Sequence, residues 1–179
     1  MKIIYLIAGT YRPGGMERVL AGKTNWLVDH GADVLVVTTD QRGRKPFFEM
    51  DGRIRHVDMD INYEDNNGGS FLNKLLRYPA KQLRHRISLT RLLKKERANI
   101  VVSMFCNDAS FLPCINDGSR KVLEIHFSRY KRLQYGRKGL WALADRWRSG
   151  NDRRVALRIK RQDLDKPAFV NITGKCVLL

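Results

Sequence analysis

The sequence predicts an α/β fold, a mostly parallel sheet flanked by helices, and three observations carry that prediction. Apolar, β-branched runs of strand length, "KIIYLIA" (2–8) and "ADVLVVTTD" (32–40) among them, lack the alternation of a half-exposed strand and suit strands buried on both faces. Stretches with helical spacing of apolar residues lie between them. Strand and helix patterns then alternate along the chain, which is the order that builds crossovers between parallel neighbours.

Taken in order, "KIIYLIA" is the first strand and "GTYRPGG" (9–15) is a loop. Apolar Met16, Val19, Leu20, Leu27 and Val28 mark a helix over 16–30, stopped at Gly31 in a C-terminal capping role. The second strand closes a β-α-β unit, the building block of doubly wound, Rossmann-like sheets. "IRHVDMDI" (54–61) alternates and reads as a third strand near an edge. A long basic helix is expected from Phe71 to Arg97, with Leu72, Leu76, Leu83 and Ile87 as its buried stripe and Leu75, Leu92 and Leu93 adding to it. Pro79 is expected to kink that helix or divide it. "NIVVSMF" (99–105) is a fourth strand, 107–115 starts a short helix capped by Asn107 or Asp108, and "KVLEIHF" (121–127) is a fifth strand. The segment 128–148 is basic, aromatic and partly helical in pattern. From Ser149 the character changes, so the expected organisation is a Rossmann-like domain over 1–148 and an atypical tail over 149–179 that ends in a short apolar, strand-like piece.

Composition narrows the functional classes. A chain of 179 residues can bury one sizeable core. Its 34 Lys and Arg against 18 Asp and Glu give a net charge of +16, and residues 119–179 hold 16 of the basic and only 5 of the acidic side chains. Such a surface attracts phosphates, whether on nucleic acid, anionic lipid or a small molecule. Cys106, Cys114 and Cys176 form no C-x-x-C pair, which fits reduced thiols in a cytoplasmic protein. No run approaches the length of a membrane-spanning helix, and "MKIIYLIAG" reads as a buried first strand rather than a secretory leader.

The 9–15 loop is the first candidate for chemistry. In an open parallel sheet, ligands collect at the carboxyl ends of the strands, where this loop sits. It leads into a helix whose first N–H groups lack internal partners and favour anions. Gly14 and Gly15 let a ligand approach the backbone, and Arg12 adds a formal charge. A phosphate or sugar-phosphate fits this loop; a plain βα turn that needs glycine fits it too. The Walker P-loop is excluded, because Gly15-Met16 stands where Lys-Ser/Thr is required, and the G-x-G-x-x-G dinucleotide fingerprint is absent. Glu17 suits the first helical turn on dipole grounds alone. His30, His56, His85 and His126 are scattered, so no metal ligand set is assigned.

The ordered set Gly14, Gly15, Glu17, Leu20, Leu27, Gly31, Ala32, Asp33 and Val34 resembles the opening of the retaining GT-B glycosyltransferases, in particular the large family 4 group. The histidine-like position that follows the glycine in that group is Ala32 or Asp33 here, a departure. "ANIVVSMF" is similar to the group's fourth strand and "LEIHFS" to its fifth, so the resemblance covers about residues 1–145. It implies one N-terminal, acceptor-side half of a two-domain enzyme that moves a sugar from a nucleotide-sugar donor to a saccharide or lipid-linked acceptor, as in polysaccharide biosynthesis. It implies that Gly14 and Gly15 lie against the donor diphosphate, with Arg12 and Glu17 as further substrate contacts. His126 matches a position that contacts the transferred sugar and is the expected catalytic residue; a satisfied histidine at a strand end fits the same place. The donor-binding domain is expected to be missing, supplied by a separate donor-side chain or lost through truncation or a frame shift near 149, so the chain alone is expected to be inactive. No cofactor is implied. The basic regions 74–97 and 129–148, the latter with Tyr130, Tyr135, Trp141 and Trp147, fit a face lying on anionic lipid, which places the protein in the cytoplasm at the inner face of a membrane. The rival reading is a nucleic-acid-binding protein, favoured by the net charge and by "RYKRLQYGRK" and opposed by the absence of any known recognition motif.

Overall fold

Each central strand buries both of its faces, which is why its sequence reads as a continuous apolar run. In the computed structural model the described residues are 1–66, 71–104, 106–124 and 176–178. They form β1 (Lys2–Ile7), α1 (Gly15–Asp29), β2 (Asp33–Thr38), β3 (Arg55–Asp58), α2 (Phe71–Glu96), β4 (Ile100–Ser103), β5 (Arg120–Glu124) and β6 (Cys176–Leu178). Three 3₁₀ turns lie at Tyr63–Asn66, Asn107–Ser110 and Leu112–Cys114.

The sheet order is β3-β2-β1-β4-β5-β6. The first five strands are parallel, and β6 runs antiparallel beside β5 with Leu178 opposite Val122. This is a Rossmann-like α/β sheet. The chain starts at its centre, lays β2 and β3 to one side, then returns through α2 to place β4 and β5 on the other. The direction of winding therefore reverses between β1 and β4.

Ile4, Leu6, Leu35, Val37 and Val101 point to one face and pack with Leu89 and Leu93 of α2 and with Phe111, Leu112 and Ile115. Ile3, Tyr5, Ile7, Val34, Val36 and Val102 point to the other and pack with Leu20 and Val28 of α1, Ile54 and Met104. Leu20, Leu89 and Leu93 are fully buried, each contributing about 2 kcal/mol by area removed from water.

Helix α1 ends as its glycine predicts. Gly31 has φ +78°, its N–H bonds the Val28 carbonyl at 3.0 Å, and the Ala32 N–H bonds the Leu27 carbonyl at 3.0 Å. That pair of bonds is a Schellman cap, and only a residue without a Cβ adopts its left-handed conformation cheaply. The edge strand β3 is exposed and carries Arg55, which contacts Asp33 and Glu96, a charged edge that discourages further pairing.

Three expectations need correction. Helix α2 is continuous through Pro79, so the proline does not divide it. The proline removes one bond, to the Leu75 carbonyl near the helix start, while buried His85, Leu89 and Leu93 hold the remainder in place. The buried stripe of α2 is also rotated from the expected one: Leu83 is 60% and Ile87 42% exposed. The spacing alone allowed either stripe, and the inner one contains a histidine that hydropathy marks as polar. Finally, residues 107–115 form two 3₁₀ turns, and the position before the first is Cys106, with no side-chain cap. Residues 128–148 and most of the tail lie outside the described residues.

Candidate functional site

The reversal between β1 and β4 fixes where a ligand crevice opens, because the loops leaving those two strands diverge there. On the β1 side runs the 8–14 loop. The Ala8 carbonyl accepts the N–H groups of Thr39 (3.1 Å) and Asp40 (2.8 Å), so the loop begins tied to the end of β2. The Thr10 N–H donates to Gln41 Oε1 at 2.8 Å and the Thr10 carbonyl accepts the Phe47 N–H at 2.8 Å. The Arg44 guanidinium lies 3.3 Å from the centre of the Tyr11 ring, and the Tyr11 hydroxyl donates to Glu64 Oε2 at 2.9 Å. A Cβ on Gly9 would stand 2.8 Å from that ring, so the glycine makes room for it. The loop is thus held from both sides, and a bound anion would meet a prepared surface.

The two glycines stand where the sequence places them. Gly14 is the N-cap of α1 in an extended conformation (φ −97°, ψ 158°), and its carbonyl accepts the first helical bond, from Arg18 N–H, at 3.1 Å. Gly15 is exposed, and a Cβ there would meet nothing within 4 Å. Its backbone faces open space at the positive end of a 15-residue helix. Glu17 folds back over Gly14, its carboxylate filling the space where a Cβ on Gly14 would be. An anion reaching these amides must move the Glu17 side chain aside. Arg12 does not stand free beside the cradle; its Nη2 pairs with Glu64 Oε1 at 2.5 Å.

On the β4 side, Ser103 and Asp108 are fully buried. Burial pushes the Asp108 carboxyl up to about 6, and the neighbouring Ser103 hydroxyl draws it down without reaching full hydrogen-bond geometry. Ser103 Oγ and Asp108 Oδ2 are buried with no hydrogen-bond partner among the described residues. Cys106 is held as a neutral thiol, pushed up to about 12 by burial and by the nearby Asp108. Beneath them the Tyr63 hydroxyl and His85 Nδ1 share a hydrogen bond of 3.1 Å. Burial lowers His85 to about 4, so it is neutral at physiological pH. Asp40 is buried but satisfied, accepting Thr39 Oγ1 at 2.6 Å and the Glu64 N–H at 3.1 Å. Glu124, at the end of β5, pairs with Lys23 of α1.

The structure therefore brings Arg12, Gly14, Gly15 and Glu17 to one lip of the crevice. His126 lies outside the described residues. Sequence reasoning passed over Ser103, Asp108, Asp40 and Glu64. Asp108 was visible only as a helix cap, and nothing in the local pattern signals that its side chain turns inward. Among the described residues no group of three or more His, Cys, Asp or Glu side chains is placed to hold a metal ion, and no helix is long and apolar enough to cross a membrane.

The described residues form a doubly wound α/β sheet whose winding reverses between β1 and β4. No protein-family model matches the chain, and no curated protein matches it. Among solved structures, the apo form of the lipopolysaccharide outer core galactosyltransferase WaaB aligns with a TM-score of 0.43 and 14% identity, over 69% of this chain and 32% of that one. The chain spans about a third of that neighbour's length.

Proposed function

We propose that the chain is the N-terminal, acceptor-side half of a retaining GT-B glycosyltransferase of the family 4 type, working with a donor-binding domain. The observation that carries the reading is the Gly14-Gly15 turn after β1, with Gly15 exposed at the start of a 15-residue helix and Gly14 covered only by the Glu17 side chain. The order of Gly14, Gly15, Glu17 and Gly31 in the strand-loop-helix-strand unit supports it.

In this reading the amides of the first turn of α1 receive the diphosphate of a nucleotide sugar. The bond between the anomeric carbon and the phosphate oxygen breaks, and charge grows on the departing diphosphate. Amides fixed in advance stabilise that charge more than they stabilise the intact donor, which is the condition for accelerating the step. The acceptor hydroxyl bonds to the anomeric carbon and gives its proton to the departing phosphate. His126 follows β5 in sequence and is proposed as a contact to the transferred sugar.

A pyrophosphate titration followed by backbone amide NMR shifts tests the site. The expected result is saturable shifts centred on Gly14, Gly15 and Met16, weakened in Gly15→Ala. Shifts spread over the basic surface with none at those amides would refute it.

Anionic membrane docking is proposed as part of the same function, and α2 supplies the supporting observation. Leu83 and Ile87 are exposed one turn apart on its outer face, with Arg84, Arg91 and Lys94 beside them. Apolar side chains among arginines suit insertion at a headgroup boundary.

A further inference from the structure

Most buried polar groups around the crevice have partners: Asp40, Tyr63, His85 and Thr39 all hydrogen-bond within the protein. Three buried side-chain atoms do not, Asn62 Oδ1, Ser103 Oγ and Asp108 Oδ2, and the last two are neighbours. Ser103 Oγ at the end of β4 and Asp108 Oδ2 in the Asn107–Ser110 turn are both buried without a partner. A buried carboxyl with one oxygen left without a partner works against folding. Asp108 gives the fold nothing visible in return, since it neither caps its turn nor pairs with a cation.

We propose that Asp108 and Ser103 form the hydrogen-bonding floor of a saccharide subsite in the β1–β4 crevice, receiving a sugar hydroxyl and setting which hydroxyl arrangement is accepted. The proposal rests on the glycosyltransferase reading and adds to it the residues that select the sugar.

The chemistry of the surroundings chooses the ligand class. Glu17, Asp40, Glu64 and Asp108 gather near this crevice, outnumbering Arg12, which is paired with Glu64, and Arg44, which lies on the Tyr11 ring. A second phosphate would be repelled there, whereas a sugar hydroxyl donates to a carboxylate. Among the described residues no three His, Cys, Asp or Glu side chains are grouped to hold a cation there. Ser103 Oγ can accept or donate, so the pair can hold one hydroxyl from two sides or two adjacent hydroxyls.

The position also fits. Ser103 stands opposite Leu6 of β1 and Leu123 of β5, so it lies just inside the carboxyl edge of the sheet. Asp108 influences both Cys106 and Tyr63, which places it between the β4 end and the Tyr63–Asn66 turn. Access requires the Asn107–Ser110 turn to shift. It is held by short-range backbone bonds, Ala109 N–H to the Cys106 carbonyl (3.2 Å) and Phe111 N–H to the Asp108 carbonyl (3.0 Å), and by Gln82 Nε2 donating to the Asn107 carbonyl at 3.3 Å.

Saturation-transfer NMR with free glucose, galactose, mannose and N-acetylglucosamine, run beside thermal melts, tests the proposal on the wild-type chain, Asp108→Leu and Ser103→Ala. The expected result is that the wild type binds at least one of these sugars and that both variants weaken it by roughly tenfold or more, the cost of one hydrogen bond to a charged group. Their melting midpoints stay level or rise, because each variant removes a buried unpaired group. Sugar binding equal to wild type in both variants would overturn the proposal and leave the diphosphate site to be judged by its own titration. Failure of the wild type to bind any of the four sugars, or a lowered midpoint in both variants together with lost binding, would overturn it as well.

Discussion

Replacing Asp108 with asparagine exposes a balance of two titrations. The folded protein holds the Asp108 carboxyl at about 6, against 3.8 for an ordinary aspartate. Between those values the folded state binds a proton that the unfolded chain has released, so Asp108 makes stability fall as pH rises from 4 to 6. The change amounts to about 3 kcal/mol over the window, at 1.4 kcal/mol per decade of proton activity. His85 acts with the opposite sign: the folded state holds it at about 4 against 6.5 when exposed. There the unfolded chain binds the extra proton, and stability rises with pH by about 3 kcal/mol between 4 and 6.5. The two contributions nearly cancel in the wild type. In Asp108→Asn only the histidine remains, and the variant should gain about 3 kcal/mol relative to wild type on going from pH 4 to pH 7. Urea unfolding followed by circular dichroism at pH 4, 5, 6 and 7 reads this as a difference curve, in which the other carboxylates cancel. A difference curve that is flat, or that slopes downward with pH, refutes the burial argument for Asp108.

Three further outcomes follow from the geometry. Gly15→Ala meets open space at the first position of α1, so it should stabilise the fold by about 0.5 kcal/mol in urea unfolding, while weakening pyrophosphate binding; loss of stability would show that the glycine is a structural requirement. Gly31→Ala has room for its methyl group but not the right backbone, and the φ of +78° should cost about 1 kcal/mol with pyrophosphate binding unchanged. Leu83→Glu combined with Ile87→Glu should leave the melting midpoint level, since both side chains are exposed, and should abolish co-sedimentation with phosphatidylserine vesicles at low salt; undiminished co-sedimentation would remove α2 as the docking element.

How much of this could be read beforehand depends on the range of the determining interactions. The five parallel strands and the Gly31 stop were legible because both are local: a strand buried on two faces is apolar throughout, and a left-handed cap is made most cheaply by glycine. The start of α1 at Gly14-Gly15 was legible for the same reason. The rotation of α2 was not, because its inner stripe is set by what the sheet and the Tyr63–Asn66 turn offer, and His85 enters the core only because Tyr63 bonds it there. Asp108 was illegible for a related reason. Its burial comes from Phe111 and Leu112 packing against α2 and the sheet, a contact between segments far apart in sequence.

The net charge also takes on a different meaning once the crevice is in view. A charge of +16 invites the idea of a basic ligand site. Yet the ionisable groups around the β1–β4 crevice are chiefly Glu17, Asp40, Glu64 and Asp108, set against Arg12 and Arg44, with Arg12 already paired. Further exposed cations, Arg84, Arg91 and Lys94, stand on the outer face of α2. A phosphate at the glycine turn would therefore be held by fixed backbone dipoles more than by net charge, and its affinity should fall only gently with added salt. Attachment of α2 to an anionic surface should fall steeply under the same salt. Running the pyrophosphate titration and the vesicle assay across one salt series separates the two, and equal salt dependence in both would mean that the phosphate is meeting the basic surface instead of the amides.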